Sequence, residues 1–235
     1  TRFDLLDARD SISAAPALEP WKCVTLDPDY SGSWVVAGDL DGDGVPEIVS
    51  AENVNVTDDH YTSAVSARRL DGSVLWTWGD PGIGRKNLHH DVACQIYDWD
   101  GDGRNDVVVA AKEAVVAMDG VTGAEKARFA IPENASDCIV FCNLTGGPRA
   151  ENILVKSRYK QIWAYTRAGE LLWTRETPGG YKTSHQPLPV DLDGDGRDEI
   201  MAGYALLNAD GTERWTVLRI PTIPPSCSEG RRPAT

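Results

Sequence analysis

Apolar residues in this chain come in short runs separated by Gly-, Asp- and Asn-rich turns, and nowhere recur at the three-to-four spacing of an amphipathic helix. Runs such as Val107-Val-Val-Ala110 and Ile200-Met-Ala202 are rich in β-branched residues and bounded by turn signals, so they predict strands. The pattern implies an all-β chain.

The turns themselves repeat. Asp39-Leu-Asp-Gly-Asp-Gly-Val-Pro-Glu47, Asp98-Trp-Asp-Gly-Asp-Gly-Arg-Asn-Asp106 and Asp191-Leu-Asp-Gly-Asp-Gly-Arg-Asp-Glu199 each precede a strand-like run. A degenerate copy, Asn143-Leu-Thr-Gly-Gly-Pro-Arg-Ala-Glu151, keeps an oxygen donor at position 1 and Glu at position 9 but lacks the acids at positions 3 and 5. Successive copies start 59, 45 and 48 residues apart. A second element recurs out of phase with the first: Asp71-Gly-Ser-Val-Leu-Trp76, Ala168-Gly-Glu-Leu-Leu-Trp173 and Asp210-Gly-Thr-Glu-Arg-Trp215. The remaining copy has Ala127 where tryptophan would stand.

Each unit therefore reads as strand, acidic turn, strand, link, strand, glycine turn, strand. Four strands in about 45 residues is the repeat of a β-propeller blade. Such blades bury their faces only by stacking, and tryptophans at one strand position are natural wedges between them, with sugar stacking as the alternative role. Four blades of four strands are expected, over about 31–78, 88–130, 135–175 and 183–217. Residues 1–30 read as an N-terminal segment and linker, and 218–235 as an irregular Pro-rich tail. A complete ring commonly has more blades, so an incomplete ring with further blades or domains missing is expected, and a compact four-bladed ring is the competing arrangement.

Carboxylates at positions 1, 3, 5 and 9 of a glycine turn converge on one hard cation, and glycines at positions 4 and 6 permit the backbone angles required. The expected metal ligands are Asp39, Asp41, Asp43 and Glu47; Asp98, Asp100, Asp102 and Asp106; and Asp191, Asp193, Asp195 and Glu199. Calcium suits them better than magnesium, which demands strict octahedral geometry. A metal-free Asp-Gly turn is the plainer reading of any single copy. Three copies with acids at identical positions favour the ion, because uncompensated carboxylates repel. The closing acid at position 9 and the strand that follows distinguish these turns from EF-hand loops.

The net charge is −13, from 23 basic and 36 acidic residues. Three calcium ions would reduce it to −7, so much of the acidity is ligand inventory, and affinity for nucleic acid is disfavoured. No stretch approaches a membrane-spanning helix. The five cysteines, Cys23, Cys94, Cys138, Cys142 and Cys227, form no CxxC pair; three lie in apolar runs as small core residues, and one disulfide stays open. Weak calcium turns suit millimolar extracellular calcium, so an exported protein, secreted or at the cell surface or periplasm, is expected.

No nucleophile elbow, zinc-protease motif or phosphate loop is present. Two links combine base and histidine: Arg85-Lys86-Asn87-Leu88-His89-His90-Asp91, and Tyr181-Lys182-Thr183-Ser184-His185. In propellers such links gather around the central axis on one face. In a lyase on uronic-acid polymers, Arg85, Lys86 and Lys182 would offset the sugar carboxylate, and His89, His90 or His185 would take the acidified proton. The plainer reading is loop-stabilising histidines and solvated charges. Lys156, Arg158 and Lys160 alternate beside Tyr159 and read as a solvated strand face, with grip on an acidic chain as the alternative.

The repeated DxDGDGxx[DE] turns resemble FG-GAP or VCBS-type calcium-binding propeller repeats over roughly residues 31–217. Such repeats occur in adhesion proteins, non-catalytic modules and polysaccharide lyases. Ala117-Met-Asp-Gly-Val-Thr-Gly also looks like the tryptophan-docking motif of quinoprotein propellers, read here as shared blade packing without a quinone site. His185 leading into the turn at Asp191, and His89-His90-Asp91 before the turn at Asp98, are similar to calcium-containing propeller lyases of rhamnogalacturonan or rhamnose–glucuronate linkages. The resemblance implies β-elimination on an acidic polysaccharide. A glycan-binding or adhesion module is the rival reading, and a quinone-dependent dehydrogenase a distant third.

Overall fold

In a computed structural model of the protein, residues 19–30, 34–56, 59–83 and 93–217 are described. Among them there is no α-helix, and the chain forms antiparallel sheets in sequence order. The first sheet contains β1 (Trp34–Gly38), β2 (Glu47–Val56), β3 (Asp59–Arg68) and β4 (Val74–Gly79). The second contains β5 (Cys94–Tyr97), β6 (Asp106–Ala111), β7 (Ala114–Asp119) and β8 (Glu125–Ala130). In the third, β9 (Cys138–Cys142) lies beside the hydrogen-bonded β10 (Asn152–Lys156), β11 (Gln161–Thr166) and β12 (Leu171–Glu176). The fourth contains β13 (Leu188–Val190), β14 (Glu199–Met201), β15 (Ala205–Leu207) and β16 (Glu213–Thr216). The arrangement is propeller-like, and no sheet closes into a ring.

Three apolar cores hold the sheets together, one at each junction. Val49, Val65 and Trp76 pack against Val107, Val109 and Met118; Val108 and Val115 against Ile139, Ile153 and Trp163; Leu154, Ile162 and Trp173 against Ile200 and Leu207. β6 and β10 are buried along their whole length because both faces are covered by neighbouring sheets. Such strands read as continuous apolar runs, without the alternation of a half-exposed strand.

The wedge expected of tryptophan is built at two junctions. Trp76 donates its indole N–H to Gly120 O at 2.8 Å and covers Gly123; Trp173 donates to Ala209 O at 2.9 Å and covers Gly211. Both glycines have positive φ, and a β-carbon there would meet the indole ring at 2.6 Å. At the middle junction the ring facing Gly169 belongs to Phe129, two residues beyond Ala127. The wedge is thus supplied by the next side chain on the same face of β8.

The degenerate turn carries one more residue than its sequence register indicates. In each intact turn the position-9 acid accepts the position-2 N–H: Leu40 to Glu47 at 2.8 Å, Trp99 to Asp106 at 3.2 Å and Leu192 to Glu199 at 2.9 Å. In the degenerate copy Leu144 donates to Asn152 Oδ1 at 2.8 Å, so Asn152 takes the closing role assigned by sequence to Glu151. Glu151 is exposed beside Arg149 and Arg167. An amide replaces the buried acid where no clustered carboxylates remain.

Candidate functional site

Strand direction divides the polar groups between two ends of the sheets. The acidic turns follow the first strand of a sheet, whereas the links into first strands, the β2–β3 and β10–β11 turns and the β14–β15 turn lie at the opposite end. The expected metal ligands and the remaining candidate groups are therefore separated by the length of the strands.

At the acidic end, position-1 carboxylates organise the loops. Asp39 accepts from Gly42 and Gly44, Asp98 from Gly101 and Gly103, and Asp191 from Gly194 and Gly196, at 2.7–3.2 Å. Carboxylate oxygens of Asp39, Asp41 and Asp43, of Asp98, Asp100 and Asp102, and of Asp191, Asp193 and Glu199 each lie within 4.8 Å of one another. Glu47, Asp106 and Glu199 are buried beneath them, and Asp195 caps Arg197 N at 2.8 Å. These oxygen-only sets fit a hard cation. Basic side chains also approach the same acids. Lys126 Nζ lies 2.7 Å from Asp100 and 3.1 Å from Asp106, Arg214 reaches Asp193 and Glu199 at 2.9 Å, and Arg69 reaches Asp41 at 3.1 Å. Burial opposes the charge on Lys126, but its hydrogen bonds to Asp100 and Asp106 prevail and raise its pKa to about 12. Burial pushes the Asp106 carboxyl up, with Lys126 offsetting only part of the effect.

At the other end a buried charged cluster joins the first sheet to the third. His60, at the start of β3, places Nδ1 2.8 Å from Asp137 Oδ1, and Asp137 also accepts from the fully buried Lys156. Ser136 donates to His60 O at 2.5 Å across the same junction. Arg158 Nη1 lies 2.8 Å from His60 Nε2. A guanidinium only donates, so Nε2 accepts and Nδ1 carries the proton shared with Asp137. Burial pushes the Asp137 carboxyl up, but the His60 hydrogen bond and the Lys156 charge outweigh it and hold the carboxyl below its ordinary value.

Arg158 leads from this buried anchor to an open cavity of about 380 Å³ lined by Tyr159, Lys182, Thr183, Ser184, His185, Gly203 and Tyr204. The Tyr159 hydroxyl is 2.8 Å from His185 Nε2, and the rings meet edge to face. Lys156, Arg158 and Lys182 place their cationic groups 5.3–5.7 Å from the centre of the Tyr159 ring. Tyr159 adopts φ 61°, a left-handed conformation uncommon for a bulky side chain, in the turn between β10 and β11. Its carbonyl accepts from Thr183 N at 3.1 Å, which ties this turn to the link entering β13. Thr183 Oγ1 is buried and has no hydrogen-bond partner among the described residues.

Of the sequence candidates, Lys182 and His185 line this cavity. Arg85, Lys86, His89 and His90 lie outside the described residues. The solvated strand face expected of Lys156, Arg158 and Lys160 does not form. Lys156 ends β10 in the interior, Arg158 and Tyr159 occupy the following turn, and only Lys160 is exposed, against Glu176. His60 and Asp137 escaped the sequence reading because neither belongs to a recurring motif and the contact between them spans 77 positions. The only sequence signal was a histidine isolated in a strand.

With this geometry, comparison with known proteins becomes informative. Over 270 aligned residues the chain is 25% identical to the rhamnogalacturonan exolyase YesX of Bacillus subtilis, covering 87% of this chain and 44% of the relative. Identity to the rhamnogalacturonan endolyase YesW of the same organism is 26% over 242 residues, 77% of this chain and 39% of the relative. Over most of its length the chain is similar to these rhamnogalacturonan lyases. It spans less than half the length of these curated relatives. The crystal structures of YesW and YesX share its fold, each with a TM-score of 0.59, at 21% and 22% identity, over 86% of this chain and 45% and 44% of theirs. The Vibrio cholerae biofilm matrix protein Bap1 also shares the fold, with a TM-score of 0.53 at 20% identity over 78% of this chain and 30% of that one. No protein-family model matches the sequence.

Proposed function

We propose that this chain is the calcium-stabilised propeller portion of an exported polysaccharide lyase that cleaves rhamnogalacturonan-like or other uronate-containing glycans by β-elimination. The observation that carries the reading is the Tyr159–His185 hydrogen bond inside a cavity flanked by Arg158 and Lys182. The relationship to rhamnogalacturonan lyases supports the substrate class.

Arg158 and Lys182 hold the uronate carboxylate and offset its charge, which makes the adjacent C5–H bond more acidic. His185 accepts the Tyr159 hydroxyl proton as the phenolic oxygen takes the proton from C5. The C5–H electron pair forms the C4–C5 double bond, the C4–O bond breaks, and the departing oxygen takes a proton from water. The acidic turns lie at the far end of the sheets, so calcium held by Asp39, Asp41, Asp43 and Glu47 and their counterparts supplies stability by neutralising clustered carboxylates.

The test is the growth of ultraviolet absorbance from the new double bond when the chain is mixed with rhamnogalacturonan. Growth supports elimination. Binding without growth, from a chain shown to be folded, would favour a non-catalytic glycan-binding or adhesion module using the same cations. For the acidic turns, chelation is expected to lower the melting temperature by roughly 5–10 °C for each site filled at a hundredfold excess over its Kd. A melting curve unchanged by chelator and by added calcium would refute metal binding.

A further inference from the structure

β4, β8, β12 and β16 each carry a one-residue bulge at the same place. Strand pairing passes from Val74 to Trp76, from Glu125 to Ala127, from Leu171 to Trp173 and from Glu213 to Trp215, so Leu75, Lys126, Leu172 and Arg214 stand opposite no residue. A bulge re-aims the side chain it carries. In the second and fourth sheets that side chain is a cation, and it reaches the acidic turn of its own sheet.

The closing acid of each turn shows what the cation does. One oxygen of Asp106 and one of Glu199 accept the position-2 N–H, and the other meets Lys126 Nζ at 3.1 Å or Arg214 Nη1 at 2.9 Å. Lys126 Nζ also lies 2.7 Å from Asp100 and 3.8 Å from Asp102, so it reaches the acids of positions 3, 5 and 9 together. In the third sheet there is no charge to offset, because the closing residue is the amide of Asn152, and the bulge carries Leu172.

The first sheet departs from this correspondence. Glu47 is 1% exposed and accepts Leu40 N at Oε2, yet its Oε1 meets no donor among the described residues, and the bulge carries Leu75. Among the described residues the basic group at this turn is the exposed Arg69, which reaches Asp41 alone, at 3.1 Å. A buried carboxylate without a counter-charge is costly, and a cation from outside the chain is what would complete it.

We propose, resting on the reading of the acidic turns as calcium turns, that the bulge residue selects which of them takes a free ion. Lys126 and Arg214 are tethered cations that stand in for calcium in the second and fourth turns. The Asp39–Glu47 turn, which has no such cation, is the site that takes a free divalent ion. Calcium draws its oxygens in to about 2.3–2.6 Å, which leaves no room for an ammonium or guanidinium among the same acids.

Calorimetric titration of the 235-residue chain with calcium tests this. Binding of about one ion per chain is expected up to ~1 mM calcium. Asp43→Asn should weaken that binding at least about tenfold, whereas Asp102→Asn should leave it unchanged. Both substitutions keep the oxygen that caps the following backbone N–H, so both proteins should fold. Lys126→Met and Arg214→Met should each add about one ion per chain, and melting curves show that these variants are folded. About three ions bound by the unaltered chain, with affinities indifferent to Lys126→Met and Arg214→Met, would overturn the selection and leave the calcium reading standing. Equal losses from Asp43→Asn and Asp102→Asn would overturn it as well. A folded chain that takes no calcium, unaltered or in either Met variant, would overturn both.

Discussion

Tyr159→Phe is expected to lower turnover on rhamnogalacturonan by about 10²–10⁴-fold while leaving the melting temperature nearly unchanged. The substitution removes one oxygen. It keeps the ring that stands against His185 and amid three cationic groups, and the hydroxyl lies in an exposed contact at the cavity. If the hydroxyl carries the proton from C5, its loss lowers kcat and changes KM little, because the carboxylate is still held by Arg158 and Lys182. His185→Ala should reduce kcat through the same step, and adding the two substitutions together should cost little more than either alone. Lys182→Met should instead raise KM for a uronate substrate most strongly. Full turnover by Tyr159→Phe would remove the phenol from the chemistry, and a loss of folding in step with activity would reduce Tyr159 to a structural turn residue.

The contrast between the two ends of the molecule explains how much could be read before the fold was known. The acidic turns were legible because their carboxylates and the backbone N–H groups these accept from lie within one nine-residue stretch that recurs. Even the hydrogen bond from position 2 to position 9 is local. The strand order followed from the same repeat, since each turn reverses the chain at a fixed point. The degenerate turn was misread by one residue because sequence alone aligns an acid with an acid, whereas the buried backbone N–H of Leu144 selects Asn152. The cavity was only half legible. Lys182 and His185 stand in a conspicuous link, but Tyr159 acquires its meaning from a left-handed turn and from a neighbour 26 residues away. The alternating Lys156, Arg158 and Lys160 followed the strand period correctly until β10 ended at Lys156, after which alternation no longer defines a face.

The largest stability effect is expected at the buried anchor beneath that cavity. Asp137→Asn should cost about 3–5 kcal/mol, because it leaves the fully buried Lys156 ammonium without its counter-charge. For a chain of this length the loss corresponds to a fall in melting temperature of roughly 10 °C. Lys156→Met alone strands the Asp137 carboxylate and should also destabilise. The double substitution removes both charges and should recover much of the loss, since an apolar replacement of a buried pair is often close to neutral. Urea unfolding of the four proteins gives the coupling directly, and simple additivity would show that the two charges do not depend on each other. The pH dependence has a definite sign. The folded Asp137 carboxyl is held below its ordinary value of 3.8, so its contribution is complete above that value and is lost as the pH falls further, through the folded pKa. Asp137→Asn should therefore flatten the acid limb of the stability profile below about pH 4. Arg158 is steered by His60, which Asp137 orients, so even folded Asp137→Asn protein should bind uronate more weakly. A variant with unchanged KM would separate the anchor from the cavity and confine it to holding the first and third sheets together.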